Sequence, residues 1–477
     1  MPPKQSPKPQ EIAETILEAA GNMTVSMLDG HREMQGLREF PIDPTKDLFF
    51  NGNDNSFYIY QNGLWEVLDG SNGATGPLAR TLHNALQDNF PDVSITDSKI
   101  REVQHCMGRV IKNIRYIMRP AAYIAFKNGS LNLETSRLEG HERSHYAILG
   151  FPFEWSDDEN PTPAFDAYLE TSLSDDDSRT LLKEALGYYL TPFDEEPATF
   201  YLYGKQRTGK SRVFRFLYDL FGPKFSTTFN LQALTTNDHN IASLVGKFVN
   251  LQDEDESERI SGDKLKALLD HSPIQARRLY EEPFQFCPFT KFLFCANKLP
   301  NFKEIEGITR RLHFIHFQKE IAVEDQDKQL PAKLMAEAPF IIRKCLLAFK
   351  AVRDRNFEFI VPEASKNLMQ EFLVSVQPAR AFFSDWCELS DEEDKWETND
   401  ELYKAYDVWR DMNGHKQLSS VSFFRQLNSF PGVATGRTHK VKKKNIRLVI
   451  DWRNMSKRGS PPEPPREAKP KSPSIPF

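Results

Sequence analysis

Eight consecutive residues, Gly204-Lys205-Gln206-Arg207-Thr208-Gly209-Lys210-Ser211, match the pattern G-x-x-x-x-G-K-[ST]. Each residue type has a physical task at that spacing. Glycines let successive backbone N–H groups wrap phosphate oxygens, the Lys210 ammonium can reach the β and γ phosphates, and the Ser211 hydroxyl can ligate Mg2+. Lys205, Gln206, Arg207 and Thr208 complete the loop that would bind the phosphates. The expected cofactors are ATP and Mg2+. The loop alone fits a kinase, a transporter or a motor, so other residues must decide among them.

Asp253 and Glu254 end the run Lys247-Phe248-Val249-Asn250-Leu251-Gln252. A carboxylate at a strand end can hold the Mg2+ water shell, and an adjacent one can orient and polarise an attacking water. That pairing favours hydrolysis over phosphoryl transfer to a second substrate. Asp255, Glu256 and Glu258 read as a solvated acidic continuation. Asn297 ends the apolar run Lys291–Ala296, where an amide would sit beside the γ-phosphate as a sensor; an asparagine turning the chain ahead of Leu299-Pro300 explains it equally well. Arg310 and Arg311 follow. Arginine stabilises the charge of a transferring phosphoryl group from a neighbouring subunit, and it also pairs with local acids.

These residues need elements to hold them. Ala198–Tyr203 is β-branched and aromatic, the composition of a buried strand. Arg212–Phe221 repeats apolar residues at helical spacing and stops at Gly222, which places the phosphate loop between a strand and a helix N-terminus. Strand and helix alternate over residues 196–320, as in a nucleotide-binding α/β layer. Upstream, residues 36–195 mix short aromatic strands (Phe57–Tyr60, Leu64–Val67) with helices near Leu78–Gln87, Phe165–Leu173 and Thr180–Leu190. Lys127-Asn128-Gly129-Ser130, between Tyr123–Phe126 and Leu131–Leu133, is a hairpin signal.

A helical connection over residues 321–377 leads to a module over 378–455. There Thr398-Asn399-Asp400 can cap a helix through Glu401–Asn413 that Gly414 ends, and Ser419–Phe430 supplies a second. Arg437–Arg447 carries six Lys or Arg residues and no acid. Helix-turn-helix followed by a basic hairpin is a winged-helix pattern, with Lys440, Lys442, Lys443, Lys444 and Arg447 placed for DNA phosphates and Arg425 and Gln426 for a groove. A solvated lysine run is the plainer alternative. Residues 1–35 and 456–477 read as largely disordered, the latter with seven prolines.

Composition narrows the class further. The chain has 477 residues, 39% hydrophobic and 27% charged, enough for several cores. Its five cysteines lie far apart with no C-x-x-C pair, which argues against a zinc ribbon or disulfide framework and for a reducing compartment, the cytoplasm. His141, His145, His271 and His313 lack ligand spacing. No apolar run approaches the ~18 residues of a membrane span. The net charge of −6 looks wrong for a nucleic-acid partner, but acids crowd into a few clusters while bases concentrate near the C-terminus.

Taken together, the phosphate loop, Val249–Glu254, Phe294-Cys295-Ala296-Asn297-Lys298-Leu299-Pro300 and Thr309-Arg310-Arg311-Leu312 resemble superfamily 3 helicases of the poxvirus and phage or plasmid primase-helicase type. The resemblance spans roughly residues 45–450 and implies an α/β AAA+ ATPase core with an N-terminal α+β helicase-associated region and a C-terminal winged helix. It implies an ATP-dependent DNA helicase or replication initiator of a phage, plasmid or DNA virus, translocating on single-stranded DNA as a homo-oligomeric ring, usually a hexamer. Arg311 or Arg310 would then be the finger acting in trans, and Asn297 the sensor. Expected partners are single-stranded DNA, origin duplex DNA and a separate primase or polymerase, since priming activity is not expected in this chain.

The family's DNA-gripping hairpin falls at Gln275–Phe284, which assigns DNA contact to Arg277, Arg278 and Tyr280; pairing of both arginines with local acids explains them equally well. Its tip carries Glu281-Glu282, and an acidic tip repels phosphates. An ATP-dependent origin-binding scaffold with little unwinding activity is therefore the alternative function.

Overall fold

The computed structural model describes residues 48–51, 56–68, 82–84, 86–87, 94–110, 122–193, 195–253, 262–278, 282–300, 302, 307–392, 395–415, 417–430, 432–438 and 441–453, together with Ala13. The expected Glu254, Tyr280 and Lys440 lie outside the described residues, as does the 456–477 tail. The chain forms two compact units, Met1–Pro300 with Glu306–Pro362, and Asn301–Ile305 with Glu363–Phe477.

In the first unit, β1 (Leu48–Asn51), β2 (Ser56–Gln61) and β3 (Leu64–Leu68) form an antiparallel sheet, followed by α1 (Asp97–Val110). A second antiparallel sheet holds β4 (Tyr123–Phe126), β5 (Gly129–Asn132) and β6 (Arg137–Glu139). Its first turn pairs Phe126 with Gly129, and the Asn128 amide anchors it by bonding the Trp155 backbone in both directions at 2.8 Å. Two helices follow, α2 (Pro163–Ser172) and α3 (Asp176–Tyr189). Asp175 starts α3 by accepting from the Ser178 N–H, which satisfies one of the helix's orphan donors.

The central layer is one parallel sheet. β7 (Thr199–Tyr203) leads into α4 (Lys210–Phe225) and β8 (Ser226–Thr227); the short helices α5 (Leu231–Thr236) and α6 (Asp238–Ala242) precede β9 (Val249–Gln252). Within α4, Gly222 leaves helical geometry at φ 60, so the regular helix ends at the glycine the sequence marked. α7 (Gly262–Leu269) and the antiparallel pair β10 (Ile274–Ala276) and β11 (Phe284–Phe286) lead to β12 (Lys291–Ala296) and β13 (Leu312–His316). The order across the sheet is β13-β7-β12-β9-β8, every pair parallel. Parallel strands buried on both faces read as continuous apolar runs, and all six residues of β12 are buried.

α8 (Leu330–Ala336) and α9 (Ala338–Asp354) close the unit. Gly187 lets α3 and α9 approach: a Cβ there would stand 2.1 Å from the Cys345 carbonyl oxygen. Residues 36–195 and 196–320, expected as separate regions, share a single hydrophobic cluster running from Tyr58 to Val352. The aromatic strands of the upstream region cannot cover their own apolar faces, so they bury them against the central layer.

The second unit packs α10 (Glu363–Val376), α11 (Pro378–Trp386), α12 (Asn399–Asn413) and α13 (Ser420–Asn428) with five short strands. β14 (Cys387–Leu389) pairs with β18 (Ile446–Leu448), while β15 (Glu397–Thr398), β17 (Val441–Lys444) and β16 (Thr435–Thr438) form a three-stranded sheet. Thr398 caps α12, Gly414 ends it at φ 70, and Ser419 caps α13, as side chains of those types should. Phe382, Trp409, Tyr406 and Phe423 pack edge and face in a core of their own.

Candidate active site

Because β7, β9 and β12 run parallel, their C-terminal ends open on the same edge of the sheet. The phosphate loop leaves the end of β7, Asp253 follows β9 and Asn297 follows β12. There Ser211 Oγ donates to Asp253 Oδ1 at 3.1 Å, although 42 positions separate the two residues. A hydroxyl and a carboxylate oxygen at that distance form a hard donor set of the kind Mg2+ takes, with water filling the rest of its shell.

Lys210 is buried. Its Nζ donates to the Gly204 and Lys205 carbonyls at 2.6 Å each. The ammonium therefore lies against the concave side of its own loop, where phosphate oxygens would exchange with those carbonyls. Gly209 sits at φ 98 and starts α4, a conformation that a side chain would strain. Gly204 has no room for a Cβ, which would meet the Phe317 carbonyl oxygen at 2.2 Å. Thr208 donates to the Lys205 carbonyl, whereas Lys205, Gln206, Arg207 and Ser211 remain exposed. All of the loop from Gln206 to Ser211, with Asp253 and Asn297, lines one cavity of about 1670 Å3.

Several parts of this cavity were not foreseen from the sequence. The Tyr168 hydroxyl on α2 donates to the Gly209 carbonyl at 3.0 Å, and burial raises its pKa, keeping it a donor. Phe317 N donates to the Tyr203 carbonyl and Ile321 N to the Arg207 carbonyl, so the chain after β13 straps the loop from the far side. Glu337 caps α2 through the Ala164 and Phe165 N–H groups at 2.9 and 3.0 Å. Cys295 lies beneath, its thiol pushed well up by burial and by the Asp253 carboxylate. These contacts join positions 41 to 173 residues apart, and no local spacing signals them.

Other sequence assignments change. Arg311 is buried, ion-paired with Asp270 and bonded to the Gly307 carbonyl; burial lowers its pKa in spite of Asp270. Committed inside its own unit, it does not present a guanidinium to a neighbour, whereas Arg310 is exposed. Arg278 is likewise turned inward, donating to Ser56 Oγ at 2.9 Å and lying over the Phe284 ring, so it is not part of an outward DNA grip; Arg277 is exposed. In the second unit Lys444 is 2% exposed and bonded to Asn428 and Thr435, which removes it from the expected basic surface. Burial lowers its pKa. Arg447 pairs with Glu388, and Gln426 binds back to the Ala379 N–H and Val376 carbonyl instead of facing a groove. Lys442 and Arg425 are exposed and Lys443 is half-buried.

Residues 202–311 match a family model described as "Family of unknown function (DUF5906)". Among solved structures, the chain is similar to the A form apo structure of the NrS-1 C terminal region, at 13% identity and TM-score 0.46, covering 84% of this chain and 95% of that one. A second apo structure of that region gives 12% identity and TM-score 0.46, over 83% of this chain and 95% of that one. No helix among the described residues is long and apolar enough to cross a membrane.

Proposed function

We propose that this protein is an ATP hydrolase of the AAA+ type that works as a DNA helicase or replication initiator. The observation that carries the reading is the 3.1 Å contact between Ser211 and Asp253 at the mouth of the phosphate loop. In this reading Ser211 and Asp253 hold Mg2+, Lys210 and the loop N–H groups bind the triphosphate, and Asn297 and Glu254 orient the attacking water. The metal, when bound, neutralises phosphate charge. Arg310 is assigned to a neighbouring copy's site in a ring, and Lys442, Lys443 and Arg425 to DNA phosphates.

The test is ATP turnover with and without single-stranded DNA. Wild-type protein should hydrolyse ATP faster with the strand present, and Lys210→Ala should reduce turnover by at least ~100-fold, since the lysine contacts the transferring group. Turnover untouched by Lys210→Ala would remove the hydrolase reading. Turnover indifferent to every nucleic acid would leave an ATPase that is not a motor. Strand displacement then separates a helicase from a scaffold that assembles on an origin without unwinding it.

A further inference from the structure

The cavity at the phosphate loop is larger than the loop itself needs. It measures about 1670 Å3, above the roughly 300–1,000 Å3 of most ligand pockets. The rest of its wall has a different chemistry and comes from two elements that abut the loop. One is α2, tied to the loop by the bond from Tyr168 to Gly209. The other is the chain after β13, tied to it by the bond from Ile321 N to the Arg207 carbonyl. From these come Ala164, Ala167, Ile321, Ala322 and Leu330, whose side chains have no hydrogen bond to offer a phosphate.

Charge on this wall also turns phosphate away. Glu320, Asp325 and Asp327 all line it. Two of its cations are committed: Lys333 Nζ donates to Asp327 at 2.6 Å, and Lys319 Nζ to the Glu170 carbonyl at 2.9 Å. Arg212, which follows Ser211 on α4, is half-buried in the same cavity. Its guanidinium has no hydrogen bond or ion pair among the described residues. Its charge nevertheless reaches both elements of the wall. Asp327 is held below the usual carboxylate range by Lys333 and the Gln329 N–H, with Arg212 adding to their effect. Burial raises the Tyr168 hydroxyl, and Arg212 opposes it. A guanidinium is planar and weakly hydrated, and its face stacks on aromatic rings.

We propose that this wall is the nucleoside subsite of the triphosphate cavity, with the Arg212 guanidinium stacked on the base as a specificity-determining residue. A longer polyphosphate would meet the carboxylates and leave the apolar side chains idle. A nucleoside is uncharged, and its base offers a π-face to the guanidinium and an apolar face to Ala167 and Ala322. This rests on the nucleotide part of the proposed function.

The test is calorimetric binding of two ligands to the full-length protein with Mg2+: a non-hydrolysed ATP analogue and inorganic tripolyphosphate, which has no nucleoside. Wild-type protein should bind the analogue at least about 10-fold more tightly than tripolyphosphate. Arg212→Met should weaken the analogue about 10-fold and leave tripolyphosphate unchanged, which also reports an intact fold. Arg212→Lys keeps the charge without the planar face, and should bind the analogue as weakly as Arg212→Met. Wild-type affinity for the analogue in either variant would overturn the stack; so would loss of tripolyphosphate binding, which would make Arg212 a phosphate or structural group. Equal affinity of wild-type protein for the two ligands would overturn the nucleoside subsite and leave the phosphate loop standing. Binding of neither ligand by wild-type protein would overturn the nucleotide reading itself.

Discussion

At the scale of single residues, the strand–loop–helix geometry around Gly204–Ser211 was legible because its backbone admits few residue types. Gly209 must take a positive φ and Gly204 must pass close to Phe317, so glycine at both positions is dictated by local structure. Tyr168 was not legible, because its role depends on a partner far away in the chain; for Arg311 an ion pair was one of the two readings the sequence allowed, but nothing in it singled out Asp270 as the partner. Tyr168→Phe removes the hydroxyl that donates to the Gly209 carbonyl and also neighbours the Ser172 side chain, and keeps the ring. It should raise the KM for ATP about 3- to 10-fold, the equivalent of about 1 kcal/mol, with kcat nearly unchanged. Unchanged KM would show that the loop is held without it. Arg311→Ala strands the Asp270 carboxylate and should cost about 3 kcal/mol in denaturant unfolding. Arg310→Ala should leave stability within about 0.5 kcal/mol of wild type, as exposed sites do. In the proposed ring it should still lose turnover, and mixing it with Lys210→Ala chains should restore part of that loss.

At the scale of elements, apolar periodicity placed most strands and helices of the central layer, because buried parallel strands have no polar face to obscure the pattern. The sheet order was not in the sequence: it depends on which strand ends must meet. β13 illustrates how an element carries a titration. His313 stacks between Phe200 and Phe359, at ring distances of 5.0 and 5.1 Å, and burial pushes its pKa down to about 4. Unfolded, the same imidazole titrates near 6.5. Between these values the unfolded chain binds the proton and the folded chain does not, so stability is full above about pH 6.5 and falls as pH drops toward 4. His313 is half-buried by surface area, so about 3 kcal/mol is an upper bound on the loss. Urea unfolding from pH 7 to 4.5 should show the decline, and His313→Phe should remove this contribution. An identical decline in the variant would assign it to other groups.

At the scale of the whole molecule, the sequence divided the chain by composition, whereas burial divides it by cores. Residues 36–195 and 196–320 differ in pattern yet share one hydrophobic cluster, so they should unfold together; the second unit has its own core. Calorimetry should therefore show two transitions. Trp409→Ala, at a side chain 2% exposed in the second core, should cost about 3–5 kcal/mol and lower one transition while leaving the other in place. A single transition shifted as a whole would mean that the units fold as one. The basic hairpin shows the limit of composition most clearly. Six cations over Arg437–Arg447 looked like one surface, but Lys444 is buried and Arg447 meets Glu388.

The proposed function requires a metal-dependent nucleotide site at Ser211, Asp253 and Lys210. The most direct measurement is calorimetric binding of a non-hydrolysed ATP analogue, with and without Mg2+, to wild-type protein, Asp253→Asn and Lys210→Ala. Wild-type protein should bind at least about 10-fold more tightly with Mg2+, roughly the effect of one well-placed charge interaction. Asp253→Asn should lose most of that Mg2+ dependence, and Lys210→Ala should bind weakly in both conditions. Equal affinity in all three proteins, unaffected by Mg2+, would contradict the site.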